Sequence, residues 1–213
     1  MMTNMEADPS QPILIGITGA SGSGKTTIAR ALLEELGADK ATLLSLDEYY
    51  KDLSHLDADA RNQTNFDEPA AIEHVLLCKN LYHLKQGETV PIPQYDFSTH
   101  TRKATPYALT LSRYLILEGI FTLTYPTVRD QLDLKVYVKC PEVICLNRRL
   151  KRDICERGRS EASVLQQYQT TVLPAFKTHI EPQKDFADLC LDGTDRPERG
   201  IEQILQTLEN IQH

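Results

Sequence analysis

Residues Gly19-Ala20-Ser21-Gly22-Ser23-Gly24-Lys25-Thr26-Thr27 set two glycines, a lysine and a threonine at the spacing GxxxxGK[ST]. That spacing belongs to loops that cradle phosphates with backbone N–H groups. The glycines let the backbone turn inward and approach the phosphates, Lys25 supplies a reaching cation, and the Thr26 hydroxyl can ligate Mg²⁺. Context decides whether such a match means anything. Pro12 to Thr18 is a short apolar run of strand length, and Ile28 to Leu36 reads as an amphipathic helix stopped by Gly37. A strand, a glycine-rich turn and a helix N-terminus aim unpaired N–H groups and a positive dipole end at one point, which makes an anion site. The expected occupant is a nucleoside triphosphate.

Further strands follow at intervals. Ala41 to Leu46 reads as a buried strand ending at Asp47, and Tyr114 to Gly119 as another with Glu118 near its end. Ligands of open α/β sheets sit beyond the carboxyl ends of the strands, so Asp47 and Glu118 are expected beside the phosphate loop. Leu134 to Val138 and Asp185 to Leu191 supply two more strands. Pro69 fits the first turn of a helix with apolar positions Ile72, Val75, Leu76, Leu81 and Leu84. Prolines 91 and 93 exclude a central strand for Val90 to Phe97 but allow an edge ribbon, completed as a hairpin around Ala108 to Leu111. Helices are expected from Glu142 to Cys155, from Ser160 until a break near Pro174, and from Pro197 to Ile211. Strands alternating with helices, without internal repeats, predict a doubly wound α/β fold.

Composition limits the partners. The 213 residues suit one domain, and a formal charge of −7 argues against binding nucleic acid through a general basic surface. Five cysteines lack any metal-ligand spacing and are read as reduced thiols. Residues 1 to 11 are polar and acidic, expected to be flexible and neither a signal peptide nor an anchor. No apolar stretch reaches membrane-spanning length, so a cytosolic location is the default.

A phosphate loop says only that a nucleotide binds; the acceptor must come from what else points into the crevice. Thr26, Glu118 and Asp47 are the oxygen donors expected at a metal, with Asp47 also free to take a proton from an acceptor hydroxyl. A strand-end cap for Asp47 and a surface turn acid for Glu118 are the plainer alternatives. The run Arg148, Arg149, Lys151, Arg152 on one helix could equally be a solvated face.

Several blocks together resemble one family. These are the phosphate loop, Ser45 to Asp52, Asn65 to Pro69, Tyr95 to Arg102, Leu117 to Gly119 and Arg148 to Arg159. They are similar in residues and in order to uridine (uridine-cytidine) kinases over about residues 13 to 195. The resemblance implies a P-loop NTPase fold with a parallel sheet of about five strands, a hairpin appendage over 88–112 and a helical lid over 148–170. It implies transfer of phosphate from ATP or GTP, with Mg²⁺, to the 5′-hydroxyl of uridine or cytidine in pyrimidine salvage, by a homo-oligomer, commonly a tetramer. Position by position it makes Asp47 the general base, Asp67 a partner of the ribose hydroxyls, and Tyr95 and His100 readers of the base edge, with Phe97 flanking the base. It puts Arg149 and Arg159 on the nucleoside, Arg152 on the transferring phosphate, Gln167 on the substrate side and Asp195 near the donor base.

The sequence departs from the family at Glu68, where many relatives carry a histidine, and in the strand around Ala104 to Leu111. A kinase of another small alcohol, of the phosphoribulokinase or pantothenate kinase type, shares the loop and both acids. The aromatic and polar set Tyr95, Phe97 and His100 suits a flat base better than a sugar phosphate. A GTP-driven switch protein would need NKxD and DxxG segments, which the sequence lacks.

Overall fold

The fold was read from a computed structural model, which describes residues 11–211. Strand β1 (Ile13–Gly19) sets its frame, with every residue buried. A strand covered on both faces needs no polar alternation, which is why it reads as an unbroken apolar run. It pairs in parallel with β7 (Tyr114–Glu118) and with β8 (Leu134–Lys139). Strand β2 (Ala41–Ser45) extends the sheet beyond β7, and β9 (Leu189–Asp192) extends it beyond β8. The order is β2-β7-β1-β8-β9, the expected five-stranded parallel sheet. Its register sets Ser45 and Ile17 opposite Glu118, and Gly19 opposite Val138, so the strands end along one edge.

Alternation along β1 divides the core between two layers. Leu14 joins Leu44, Leu115 and Leu117 against helix α3 (His74–Lys85), through its Leu77, Leu81 and Leu84. Ile13, Ile15 and Ile17 face α1 (Lys25–Leu36) and α8 (Pro197–Ile211), meeting Ile28, Ala29 and Leu32 of the former and Ile201, Ile204 and Leu208 of the latter. Each such buried Leu or Ile contributes about 1.5–3 kcal/mol. Helix α1 ends where Gly37, at a positive φ of 87° open to glycine, donates to the Leu33 carbonyl at 3.0 Å. The remaining helices are α2 (Ala58–Asn62), α4 (Pro126–Arg129), α5 (Glu142–Cys155), α6 (Glu161–Gln167) and α7 (Leu173–Ala175). No helix among the described residues is long and apolar enough to cross a membrane. The expectation of flexibility for residues 1–11 falls, Gln11 apart, outside the described residues.

The proline-bearing ribbon forms two short ladders. Strand β3 (Val90–Ile92) pairs antiparallel with β6 (Tyr107–Leu109), while β4 (Tyr95–Asp96) pairs with β5 (Thr101–Arg102). The hairpin's return strand thus begins one residue before the expected Ala108, and the β4–β5 pair adds a second rung.

Other element boundaries differ from the sequence reading, three of them by more than a few residues or in kind. Pro69 opens a 3₁₀ turn, not a helix, because Ile72 bridges to Tyr50 and the Glu73 N–H bonds to the Tyr49 carbonyl. Starting at His74, α3 turns Leu77 inward and leaves Val75 69% exposed, so Val75 is not a core position. Pro174 does not break the helical path from α6: a π turn at Tyr168–Val172 widens the helix just before it, and the path continues through a second π turn at Phe176–Ile180. Residues Glu181–Phe186 are a 3₁₀ turn, so β9 begins at Leu189, not Asp185. That turn is pinned by buried Gln183, which accepts from Thr18 Oγ1 and the Leu123 N–H and donates to the Ile120 and His179 carbonyls.

Candidate active site

The phosphate loop joins the end of β1 to the first residue of α1. Gly22 and Gly24 adopt φ 85° and 101°, a region open to glycine. Gly24 caps α1 without a side-chain acceptor, so the first-turn N–H groups are left for an anion. The loop packs so closely on α5 that a Cβ on Gly22 would lie 2.5 Å from the Cys145 carbonyl. Arg148 holds this contact. Its Nη1 donates to the carbonyls of Gly22 at 3.2 Å and Gly193 at 2.9 Å, joining the loop to the turn after β9. Arg148 is therefore not simply a solvated face: it braces the loop.

A cleft of about 1370 Å³ opens over the loop. All the expected site residues line it except Gly19, Ala20 and Ser23, the last of these fully buried. At its floor, the Thr26 hydroxyl donates to Glu118 Oε2 at 3.1 Å, and the Ser45 hydroxyl to Glu118 Oε1 at 3.4 Å. Ser45 Oγ also accepts from the Asp47 N–H at 3.3 Å, which fixes the 3₁₀ turn carrying Asp47. Glu118 is buried, not the surface turn acid of the plainer reading. Burial, then the charges of Glu118 and Glu48, push the Asp47 carboxyl up to about 6, against the opposing pull of Lys25 and Arg157. Thr26, Glu118 and Asp47 offer only oxygen donors, the set that suits Mg²⁺. Two crowded carboxylates, one of them reluctant to ionise, fit a place where a cation sits.

The opposite wall is aromatic. Tyr50 lies among Phe66, Tyr95 and Phe97, at ring distances of 5.4, 5.3 and 6.5 Å. His100 stacks on Phe66 at 4.6 Å and sits at φ 55°, in the left-handed region. Tyr95 is buried and Phe97 is 54% exposed, yet both line the cleft. Glu48 Oε2 accepts from the Tyr95 N–H at 2.6 Å, tying the ribbon to the turn of Asp47. Tyr95 Oη and His100 Nδ1 are buried without a hydrogen-bond partner. Burial and nearby Arg61 lower the His100 pKa, so its ring is neutral at neutral pH. Asp67 Oδ2 accepts from the Thr171 hydroxyl at 2.9 Å.

The arginines close the third side. Arg149 is buried, donating to Ser21 Oγ at 3.1 Å and Gln167 Oε1 at 3.0 Å. Arg152 reaches Ser21 Oγ at 3.5 Å, and Arg159 shares the same Gln167 oxygen. Asp195 stands apart at the far end, paired with Arg199 at 3.0 Å on the surface. Sequence reasoning missed Ser45, Glu48, Arg148, Asp153 and Thr171, which touch the expected site residues and hold them.

This geometry of loop, paired acids and arginine cluster can be compared with known proteins. The profile of the Phosphoribulokinase / Uridine kinase family matches residues 14–197. The chain belongs to that family. Uridine kinase of Shewanella halifaxensis is 47% identical over 183 residues, covering 84% of this chain and 86% of its own. Uridine kinase of Shewanella sp. strain W3-18-1 is 44% identical over 207 residues, covering 95% and 96%. Among solved structures, phosphoribulokinase from Rhodobacter spheroides superposes with a TM-score of 0.62 at 15% identity, covering 87% of this chain and 71% of that one. Membership of this kinase family makes the chain a kinase with the P-loop fold.

Proposed function

We propose that this kinase transfers the γ-phosphate of ATP or GTP to the 5′-hydroxyl of uridine or cytidine, giving UMP or CMP. The observation that carries this reading is the pair of buried, unpartnered polar atoms, Tyr95 Oη and His100 Nδ1, among aromatic rings lining the cleft that also holds Asp47. An unmet buried donor or acceptor costs about 1–3 kcal/mol, a cost that the polar edge of a flat base would remove. A sugar phosphate would call for free cations at that wall. Arg61 and Arg102 do not line the cleft: Arg61 donates to the Thr99 carbonyl, and Arg102 to the Tyr49 and Tyr50 carbonyls.

In this mechanism the loop amides and Lys25 hold the donor's outer phosphates. Thr26, Glu118 and Asp47 would hold Mg²⁺, which supplies positive charge to the transferring phosphate. Asp67 accepts from the ribose hydroxyls in place of Thr171, and Tyr95 and His100 bond to the base edge beside Phe97. Asp47, ionised above its pKa of about 6, orients the 5′-hydroxyl and takes its proton. Arg149 and Arg159, aligned through Gln167, grip the nucleoside. Arg152 stays charged beside the phosphate in flight, and the 148–170 segment acts as the lid. Asp195 would border the donor base.

The test is a panel of acceptors with MgATP and MgGTP, read as nucleoside diphosphate release and product mass. Uridine and cytidine should be phosphorylated, thymidine and pantothenate not; turnover on a non-nucleoside alone would overturn the reading.

A further inference from the structure

Asp153 lies in the last turn of α5 with no exposed surface. It is a costly place for a carboxylate, because burial opposes ionisation and the negative end of the helix dipole is close. An apolar side chain would fill the space at less cost, so packing does not account for it. What surrounds it does. Arg152 Nε donates to Oδ1 at 2.9 Å, and Arg157 Nη1 lies 3.4 Å from the same oxygen. Arg149 Nε and Arg159 Nη1 lie 3.6 and 3.5 Å from Oδ2. The Asp153 carbonyl accepts from the Arg159 N–H at 3.1 Å, folding the turn after α5 back onto it.

We propose that Asp153 is the positioning residue of the arginine cluster. It orients the guanidinium forks of Arg149, Arg152 and Arg159 towards the phosphate loop and the acceptor. One carboxylate against four guanidinium groups leaves a surplus of positive charge, so the cluster is ordered without being neutralised. The two oxygens divide the work. Oδ1 holds Arg152 by a short hydrogen bond. Oδ2 is buried with no hydrogen bond, and its longer ion pairs leave Arg149 and Arg159 slack to close on a bound substrate. The inference rests on the kinase reading of the site, and its acceptor-dependent part on the nucleoside reading.

Two measurements on Asp153→Asn test it. The first is the ¹H–¹⁵N spectrum of the arginine Nε–H groups. Wild-type protein without ligand should give a slowly exchanging signal from Arg152, whose Nε donates to Asp153, and the variant should lose it while its backbone spectrum persists. The second is steady-state kinetics: kcat should fall about 10–100-fold, as misplaced groups imply, with the donor KM within threefold. Unchanged Nε–H signals, or kcat within twofold of wild type, would overturn the proposal. Should the variant not fold, fast Nε–H exchange of Arg152 in the wild-type protein would overturn it. If pyrimidine nucleosides are not turned over, the fault lies with the nucleoside reading, and the kinetics are read with the acceptor the wild type does use.

Discussion

The phosphate loop, proposed as the donor end, and the aromatic wall, proposed to take the acceptor, are built by different means. At the donor end the backbone does the positioning. Gly22 rests on α5, and a Cβ on Gly193 would lie 1.9 Å from the Ser23 carbonyl, with Arg148 stapling the two turns together. The acceptor wall rests on paired strands of two residues and on side chains that reach across the chain, among them Glu48 to Tyr95, Arg61 to Thr99 and Thr171 to Asp67. The first arrangement suits a phosphate chain common to every nucleoside triphosphate. The second can be retuned residue by residue, which suits a site that must select its acceptor.

Substitutions should separate the two ends. Of the substitutions at the two walls, the larger effect is expected from Gly193→Ala, which forces a methyl group against a backbone carbonyl that cannot move without the loop. Stability should fall by about 1–3 kcal/mol, read as a lower melting temperature, and the donor KM should rise with the acceptor KM unchanged. A smaller and opposite pattern is expected at the other wall. Tyr95→Phe and His100→Ala each remove one hydrogen bond worth about 0.5–1.5 kcal/mol, so the acceptor KM should rise roughly two- to tenfold with the donor KM unchanged. A donor KM that moved with either would break the comparison.

The same difference governs what the sequence reveals. The donor end is legible because Gly19 to Thr27 is contiguous and its flanking strand and helix are local in pattern. Strands β1, β2, β7 and β8 are legible because both faces of each are covered, giving apolar runs. Partners distant in sequence are not. Thr171, which bonds to Asp67, is 104 residues away from it. Asp153 is the opposite case: its arginines at 149, 152, 157 and 159 are all near in sequence, and the four-residue spacing of Arg149, Asp153 and Arg157 is a signal of paired charges that the basic run concealed. Pro174 misleads because a widened helical turn forgives a proline that an α-helix would not, and Pro69 because a single bridge at Tyr50–Ile72 outweighs a helical start. Asp195 remains legible by resemblance alone, since its contact is an exposed pair with Arg199.

The two ends meet at Asp47. Its turn is anchored to Glu118 through Ser45 on the donor side and to Tyr95 through Glu48 on the acceptor side. The most direct test is Asp47→Asn, with donor affinity and turnover measured in the same preparation. ATP without Mg²⁺ should bind within about twofold of wild type, while kcat with saturating MgATP falls about 10²–10⁴-fold. The wild type's acid limb, where activity drops below about pH 6 as the carboxyl takes up a proton, should disappear. Wild-type kcat in that variant would contradict the account.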